Sequence, residues 1–277
     1  MFLARRFSSG SFTSTSRRFF SASRFDGHGG GSLQPLLSED AQVRAALHAE
    51  ALTLPTLTLG PRHLSDLELL LNGGFSPLDG FMDQSNLESC VTDMRVRSHL
   101  GSSADPLLWP LPVTLDVTKD ALAKAGGVSP GASVTLIDAE GDPLAILRVS
   151  DVYTPDKKWE AEQTFGTSEL GHAGANYVLA QSGEVYLGGR IEGLQLPNHY
   201  DYVNLRATPV ELREEFVRLG WDTIVGFQTR NPMHRAHREL TVRAAEQVGG
   251  NVLIHPVVGM TKPGDVDHHT RVKCYRA

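Results

Sequence analysis

Two rhythms of apolar and polar positions divide the chain. Between about residues 33 and 205 the apolar runs are short and broken by turn residues. Residues 134–137 and 144–149 flank Ala139-Glu140-Gly141-Asp142, a pattern that predicts a hairpin with glycine supplying a positive φ. Residues 107–117 carry Pro110 and Pro112, so they predict an edge strand or an irregular approach to one. A helix is expected over 64–71, capped by Ser65 and stopped by Gly73-Gly74. The region reads as a mixed, mainly β domain, barrel-like in plan.

At Thr208 the rhythm changes. Thr208-Pro209-Val210-Glu211 is a capping box with proline at the first helical position. Leu212, Phe216 and Leu219 then make one apolar stripe before Gly220. A strand is expected over 221–227, a polar turn at Gln228-Thr229-Arg230-Asn231, a helix over 232–248 closed by Gly249-Gly250, and a second strand over 251–258. Strand, helix, strand in this order predicts a parallel pair with a right-handed crossover. Ligands of such sheets bind beyond the C-terminal strand ends, here at 228–231.

Charge separates a third region. The 277 residues carry a formal charge of -6. Residues 1–25 hold five arginines, many serines and no carboxylate, so their +5 leaves -11 for the remainder. Arg- and Ser-rich, acid-free N-termini without a 7–15-residue apolar core match organellar transit peptides rather than secretory signals. Mitochondrion is the expected destination and plastid the alternative, with residues 27–32 as a flexible junction. An acidic body is a poor non-specific binder of nucleic acid. No apolar run approaches the ~20 residues of a membrane helix. Two cysteines, Cys90 and Cys274, neither build a disulfide framework nor pair as C-x-x-C. A soluble protein of a reducing compartment, with no nucleic-acid or membrane partner, is the expectation.

The turn at 228–231 suits a polyanion. Asn231 is a natural N-cap and Pro232 fits the next position, so free N–H groups and the helix dipole face the turn. His234 and His237, three apart, share a helix face, with Arg230, Arg235 and Arg238 around them. An isolated H-x-x-H is most simply a solvated basic helix. These histidines differ by standing at a capped N-terminus directly after a buried strand. No third ligand at a typical zinc spacing accompanies them.

The run Gln228-Thr229-Arg230-Asn231-Pro232-Met233-His234-Arg235-Ala236-His237 closely resembles the signature of the ATP sulfurylase (sulfate adenylyltransferase) family. Three further stretches resemble that family in the same order: Phe75-Ser76-Pro77-Leu78-Asp79-Gly80-Phe81-Met82, Tyr186-Leu187-Gly188-Gly189-Arg190-Ile191-Glu192-Gly193, and Gly259-Met260-Thr261-Lys262-Pro263-Gly264-Asp265. The resemblance implies a PUA-like β-barrel domain over 33–205 after a leader and linker at 1–32. An incomplete α/β Rossmann-like nucleotidyltransferase domain over 206–277 would follow. It implies the joining of ATP and sulfate to give adenylyl sulfate and pyrophosphate. In that reading Thr229, Arg230, Asn231, His234 and His237 are catalytic, and Gln228 and Arg230 hold sulfate. All six meet ATP, and Lys262 is a further phosphate contact. Mg2+ would come with ATP, held mostly by water. A homo-oligomer is expected, with functional links to an adenylyl-sulfate kinase or reductase and a pyrophosphatase.

Some features depart from the family pattern. His172-Ala173-Gly174 stands where relatives often carry His-Pro-Gly, and the later Gly-Arg-Asp-His stretch is absent. No P-loop of the kinase type occurs. The chain therefore reads as a fragment or truncated gene model. The competing expectation is a non-catalytic interaction module; RNA binding by the PUA-like domain is disfavoured by the acidic charge.

Overall fold

The computed structural model of the chain describes residues 27–29, 32–96, 106–259 and 264–277, with the backbone of Phe2 and Leu3. Two compact units form: Phe25–Asn198, and His199–Ala277 with the N-terminal strand β1 (Phe2–Leu3). Apart from that strand, the expected leader lies outside the described residues. No helix among the described residues is long and apolar enough to cross a membrane.

In the first unit the order is α1 (Ala41–Ala51), β2 (Thr56–Thr58), α2 (Pro61–Leu71), β3 (Gly80–Phe81), α3 (Gln84–Asp93), β4 (Arg95–Val96), β5 (Leu107–Leu108), β6 (Leu115–Val117) and α4 (Lys119–Lys124). There follow β7 (Ser133–Ile137), β8 (Pro143–Tyr153), α5 (Lys157–Phe165), α6 (Ala173–Asn176), a π-helical turn (Tyr177–Gln181) and β9 (Val185–Gly193). A six-stranded mixed sheet runs β2-β7-β8-β9-β3, with β6 also on β9. Within this sheet β2 and β7 pair in parallel and the other paired strands described are antiparallel. The expected hairpin is β7–β8, turned at Gly141 with φ 93°. The proline-bearing 107–117 stretch is broken into β5 and β6, because Pro110 and Pro112 cannot donate to a ladder.

Helix α2 starts three residues before the expected point. Pro61 supplies the first helical position, and Ser65, expected as the cap, donates instead to the Pro61 carbonyl at 3.0 Å.

Two of the stretches that carry the resemblance meet in this sheet. Gly80 pairs with Arg190 and Phe81 with Gly189. A Cβ on Gly80 would lie 1.9 Å from the Gly189 carbonyl oxygen, and one on Gly189 would lie 2.1 Å from that of Arg148. The glycines let β9 sit tightly between β3 and β8, where the β8–β9 register also shifts. Leu67, Leu70 and Leu71 of α2 pack with Leu115, Val134, Leu136, Leu144, Leu147 and Leu187 in one buried core. Arg148 ties the periphery: it reaches Glu50 of α1, Glu192 of β9 and Ser133 of β7.

The second unit runs 3-10 turn (Val203–Leu205), α7 (Pro209–Leu219), β10 (Ile224–Thr229), α8 (Arg235–Val248), β11 (Asn251–Pro256) and α9 (His268–Arg276). The capping box of α7 is complete: Thr208 Oγ1 accepts from Glu211 N, and Glu211 accepts from Thr208 N. Strands β10 and β11 are parallel neighbours, with β1 antiparallel on the far side of β11. The βαβ unit is as expected, yet its boundaries move. Strand β10 begins at Ile224 rather than 221, because Trp221 closes α7: its N–H reaches Phe216 O at 2.8 Å and its ring stacks on Phe216. Gln228 and Thr229, expected in the turn, continue the strand opposite His255 and Pro256.

Candidate nucleotide and oxyanion site

The loop between β10 and α8 is set by three local decisions. Thr229 Oγ1 accepts from Asn231 N at 3.3 Å and donates to Asn231 O at 2.8 Å, which folds the chain sharply after the strand. Pro232 and Met233 stay outside the helix, and α8 starts only at Arg235. The N-cap is His234, not Asn231 as the sequence predicts: His234 Nδ1 accepts from Ala236 N at 3.1 Å. Asn231 is drawn away because its amide is used elsewhere. Its Nδ2 donates to Asp265 Oδ1 at 3.1 Å, and its Oδ1 accepts from Val266 N at 3.0 Å.

The cap has a chemical consequence. An Nδ1 that accepts from a backbone N–H carries no proton, so the His234 ring N–H is on Nε2. Its neighbour His237 lies with its ring centroid 4.0 Å away, tilted by 35°. His237 also packs on Phe227 at 5.7 Å, and its Nδ1 is buried without a hydrogen-bond partner among the described residues. The two histidines therefore do share a face, at the first turn of α8.

Phe227 and Gln228 leave β10 on opposite faces. Gln228 sits beside His255 on the face turned away from Phe227 and His237. Arg230 is half exposed beyond the strand end, with Nε 3.9 Å from Asp265 Oδ2. The corner thus gathers Thr229, Arg230, Asn231, His234 and His237 at the C-terminal end of β10, with Gln228 at the adjoining rim. Lys262 lies outside the described residues.

Donors dominate this corner: a guanidinium, an imidazole N–H and the backbone N–H groups at the start of α8. The carboxylate that touches it, Asp265, is engaged with Asn231, and among the described residues no cluster of carboxylates gathers there to hold a divalent cation. The arrangement is suited to holding oxyanions.

Family models match two stretches of the chain: residues 25–196 to the PUA-like domain and residues 203–277 to ATP-sulfurylase. The chain belongs to the ATP-sulfurylase family. It is 54% identical over 254 residues to a sulfate adenylyltransferase of Candida albicans, covering 89% of this chain and 47% of that one. It is 53% identical over 249 residues to a sulfate adenylyltransferase of Coccidioides immitis, with 90% and 42% covered. Among solved structures it is similar to a hexameric APS kinase from Thiobacillus denitrificans, with a TM-score of 0.71, 35% identity, and 91% and 43% of the two chains covered. The chain spans about half the length of the curated relatives it matches.

Several residues that shape the site are not legible as motifs. Arg271, fully buried, donates to the carbonyls of Val257 and Val266 and so fixes the segment that carries Asp265. Tyr275 Oη donates to Asn231 O at 3.1 Å. These partners are 34 to 44 residues from Asn231, too far for any spacing rule. Asp267 is a helix cap, as its position before α9 predicts; bonds from the backbone of Thr270 hold its carboxyl below the usual range.

One histidine cluster lies apart from the corner in sequence. Asp201, His268 and His269 bring three ligand-type atoms within 4.8 Å of one another. His268 Nε2 is 2.6 Å from Asp201 Oδ2, and Arg206 donates to Asp201 Oδ1 at 2.9 Å. Arg206, then His268, hold the Asp201 carboxyl below its ordinary range. Both oxygens are already engaged, so the cluster is a tie between the segment before α7 and the start of α9.

Proposed function

We propose that this chain carries part of the active site of a sulfate adenylyltransferase, joining ATP and sulfate to give adenylyl sulfate and pyrophosphate. The observation that supports it most is the stacked pair His234–His237 at the N-terminus of α8, directly beyond β10 and beside Arg230. Sulfate is a fully ionised, weak nucleophile, so a general base has nothing to remove. Catalysis then depends on forcing two anions together and stabilising the charge of the in-line transition state. Arg230 grips sulfate through its planar fork, and Gln228 adds an amide donor. Thr229 and Asn231 shape the turn that meets the ATP phosphates. His234, its N–H on Nε2, donates to the phosphate oxygens as pyrophosphate departs, with His237 beside it. Mg2+ would come with ATP, held largely by water, and would supply neutralisation of the phosphate charge.

The membership of the ATP-sulfurylase family and the names of its relatives support this reading. The hexameric relative supports self-association and a functional link to adenylyl-sulfate kinase chemistry. A reductase and a pyrophosphatase would also act on the products. The acid-free, Arg-rich segment 1–25 is proposed to direct import into the mitochondrion.

Sulfate-dependent release of pyrophosphate from MgATP tests the reading. It is measured on this chain and on a chain extended to the length of its relatives. In whichever form turns over, Arg230→Lys and His234→Ala should each cut turnover by well over tenfold. Lost charge stabilisation of this kind costs about 3–4 kcal/mol. No sulfate-dependent release from either form rejects the enzyme; near-normal rates in both variants reject the roles given to these residues.

A further inference from the structure

We infer that Asp265 is a positioning residue that aims the Arg230 guanidinium at the bound oxyanion. The inference rests on the proposed reading of the site and deepens it. The Asp265 side chain is only 4% exposed. Its Oδ1 accepts from Asn231 Nδ2 at 3.1 Å, whereas its Oδ2 is buried with no hydrogen-bond partner among the described residues. Among the described residues the cation within ion-pair reach is Arg230, whose Nε is 3.9 Å from that oxygen. This is within reach of attraction and outside a hydrogen bond.

The carboxylate has little freedom to be elsewhere. Val266 N is bonded to Asn231 Oδ1, Arg271 holds the Val257 and Val266 carbonyls, and Asp267 caps α9 two residues on. Arg230, by contrast, is 48% exposed on its side chain. A fixed buried anion therefore faces a half-exposed cation, and the fixed partner dictates where the exposed one points.

The geometry of guanidinium gives this a purpose. Nε lies on one edge of the planar group, and the two terminal nitrogens form the fork that grips a tetrahedral oxyanion. A carboxylate on the Nε edge orients the plane and leaves the fork free. A buried charge without full hydrogen bonding is costly, and one near an anion site also repels the ligand. Two opposed electrostatic expectations follow. If Asp265 is merely a passive charge, neutralising it removes repulsion and tightens anion binding. If it aims Arg230, neutralising it weakens binding despite the removed repulsion.

The test is isothermal titration of sodium sulfate, and separately of MgATP, into the full chain and into Asp265→Asn, Arg230→Lys and the double variant. Expected are a loss of about tenfold in sulfate affinity for Asp265→Asn and no further loss when it is added to Arg230→Lys. A ligand-free readout accompanies it: the Arg230 Nε–H, followed by 15N NMR, should exchange with water faster in Asp265→Asn than in the parent. Unchanged or tighter sulfate binding in Asp265→Asn, or losses that simply add, overturns the positioning role while the site reading stands. A parent chain that binds neither sulfate nor MgATP overturns both. If Asp265→Asn does not fold, Asp265→Glu runs the same cycle. It keeps the charge and displaces it by one methylene, and undiminished sulfate affinity there likewise overturns the inference.

Discussion

Glu160 shows how one side chain can set a pH dependence unrelated to the site. It is 4% exposed, and its carboxyl accepts from Tyr186 Oη at 3.3 Å. Burial raises its pKa to about 7. Such a carboxyl holds its proton more tightly folded than unfolded. It therefore contributes stability below its unfolded value, near 4.5, that is lost as pH rises through about 7. Urea unfolding between pH 4.5 and 8 should show the parent losing up to about 3 kcal/mol more than Glu160→Gln. Parallel pH profiles for the two would remove Glu160 as the cause. At the candidate site, the identities of Arg230, His234 and His237 were readable from the sequence, and so was their clustering. The cap was not. His234 takes it because Asn231 is claimed by Asp265 and Val266, and both partners arrive from a segment more than thirty residues away.

Elements were legible wherever a local signal dominates. The α7 capping box, the β7–β8 hairpin and the βαβ order all follow from short-range chemistry. Boundaries failed where a neighbour competes: Trp221 is captured by Phe216, and the start of α8 is delayed by the Thr229–Asn231 turn. The glycines of β3 and β9 belong to this scale, since their need arises only when the strands pair. Gly80→Ala would place a Cβ 1.9 Å from a backbone oxygen, so β3 must move off β9. Denaturant unfolding should report a loss of about 3 kcal/mol, at the upper end of overpacking costs. A change under about 0.5 kcal/mol would mean that the β3–β9 pairing contributes little.

At the scale of the molecule, the two units differ in how much they bury. Among the described residues the first encloses an extended leucine- and valine-rich core. Among the described residues of the second, Val272 is fully buried and Trp221 nearly so. Strands β10 and β11 are largely half-exposed, so the unit that carries the candidate site is the less consolidated one. Charge is divided as sharply: +5 in residues 1–25 against -11 in the rest. A fluorescent reporter carrying residues 1–25 should enter mitochondria, and substitution of all five arginines by glutamine should leave it in the cytosol. Import that survives the substitution, or delivery to plastids in a plant cell, would reject the mitochondrial assignment.

What the sequence determined by itself is whatever the chain decides over a few residues: caps, turns, strand–helix order, and the cluster of donors between Phe227 and Arg238. Only the tertiary structure decided which groups those donors answer to. Asp265 and Tyr275 reach Asn231 as hydrogen-bond partners, and Arg271 fixes the segment that carries Asp265, all through folding of distant segments. Periodicity records the environment of each residue along the chain and carries no record of what lies across it.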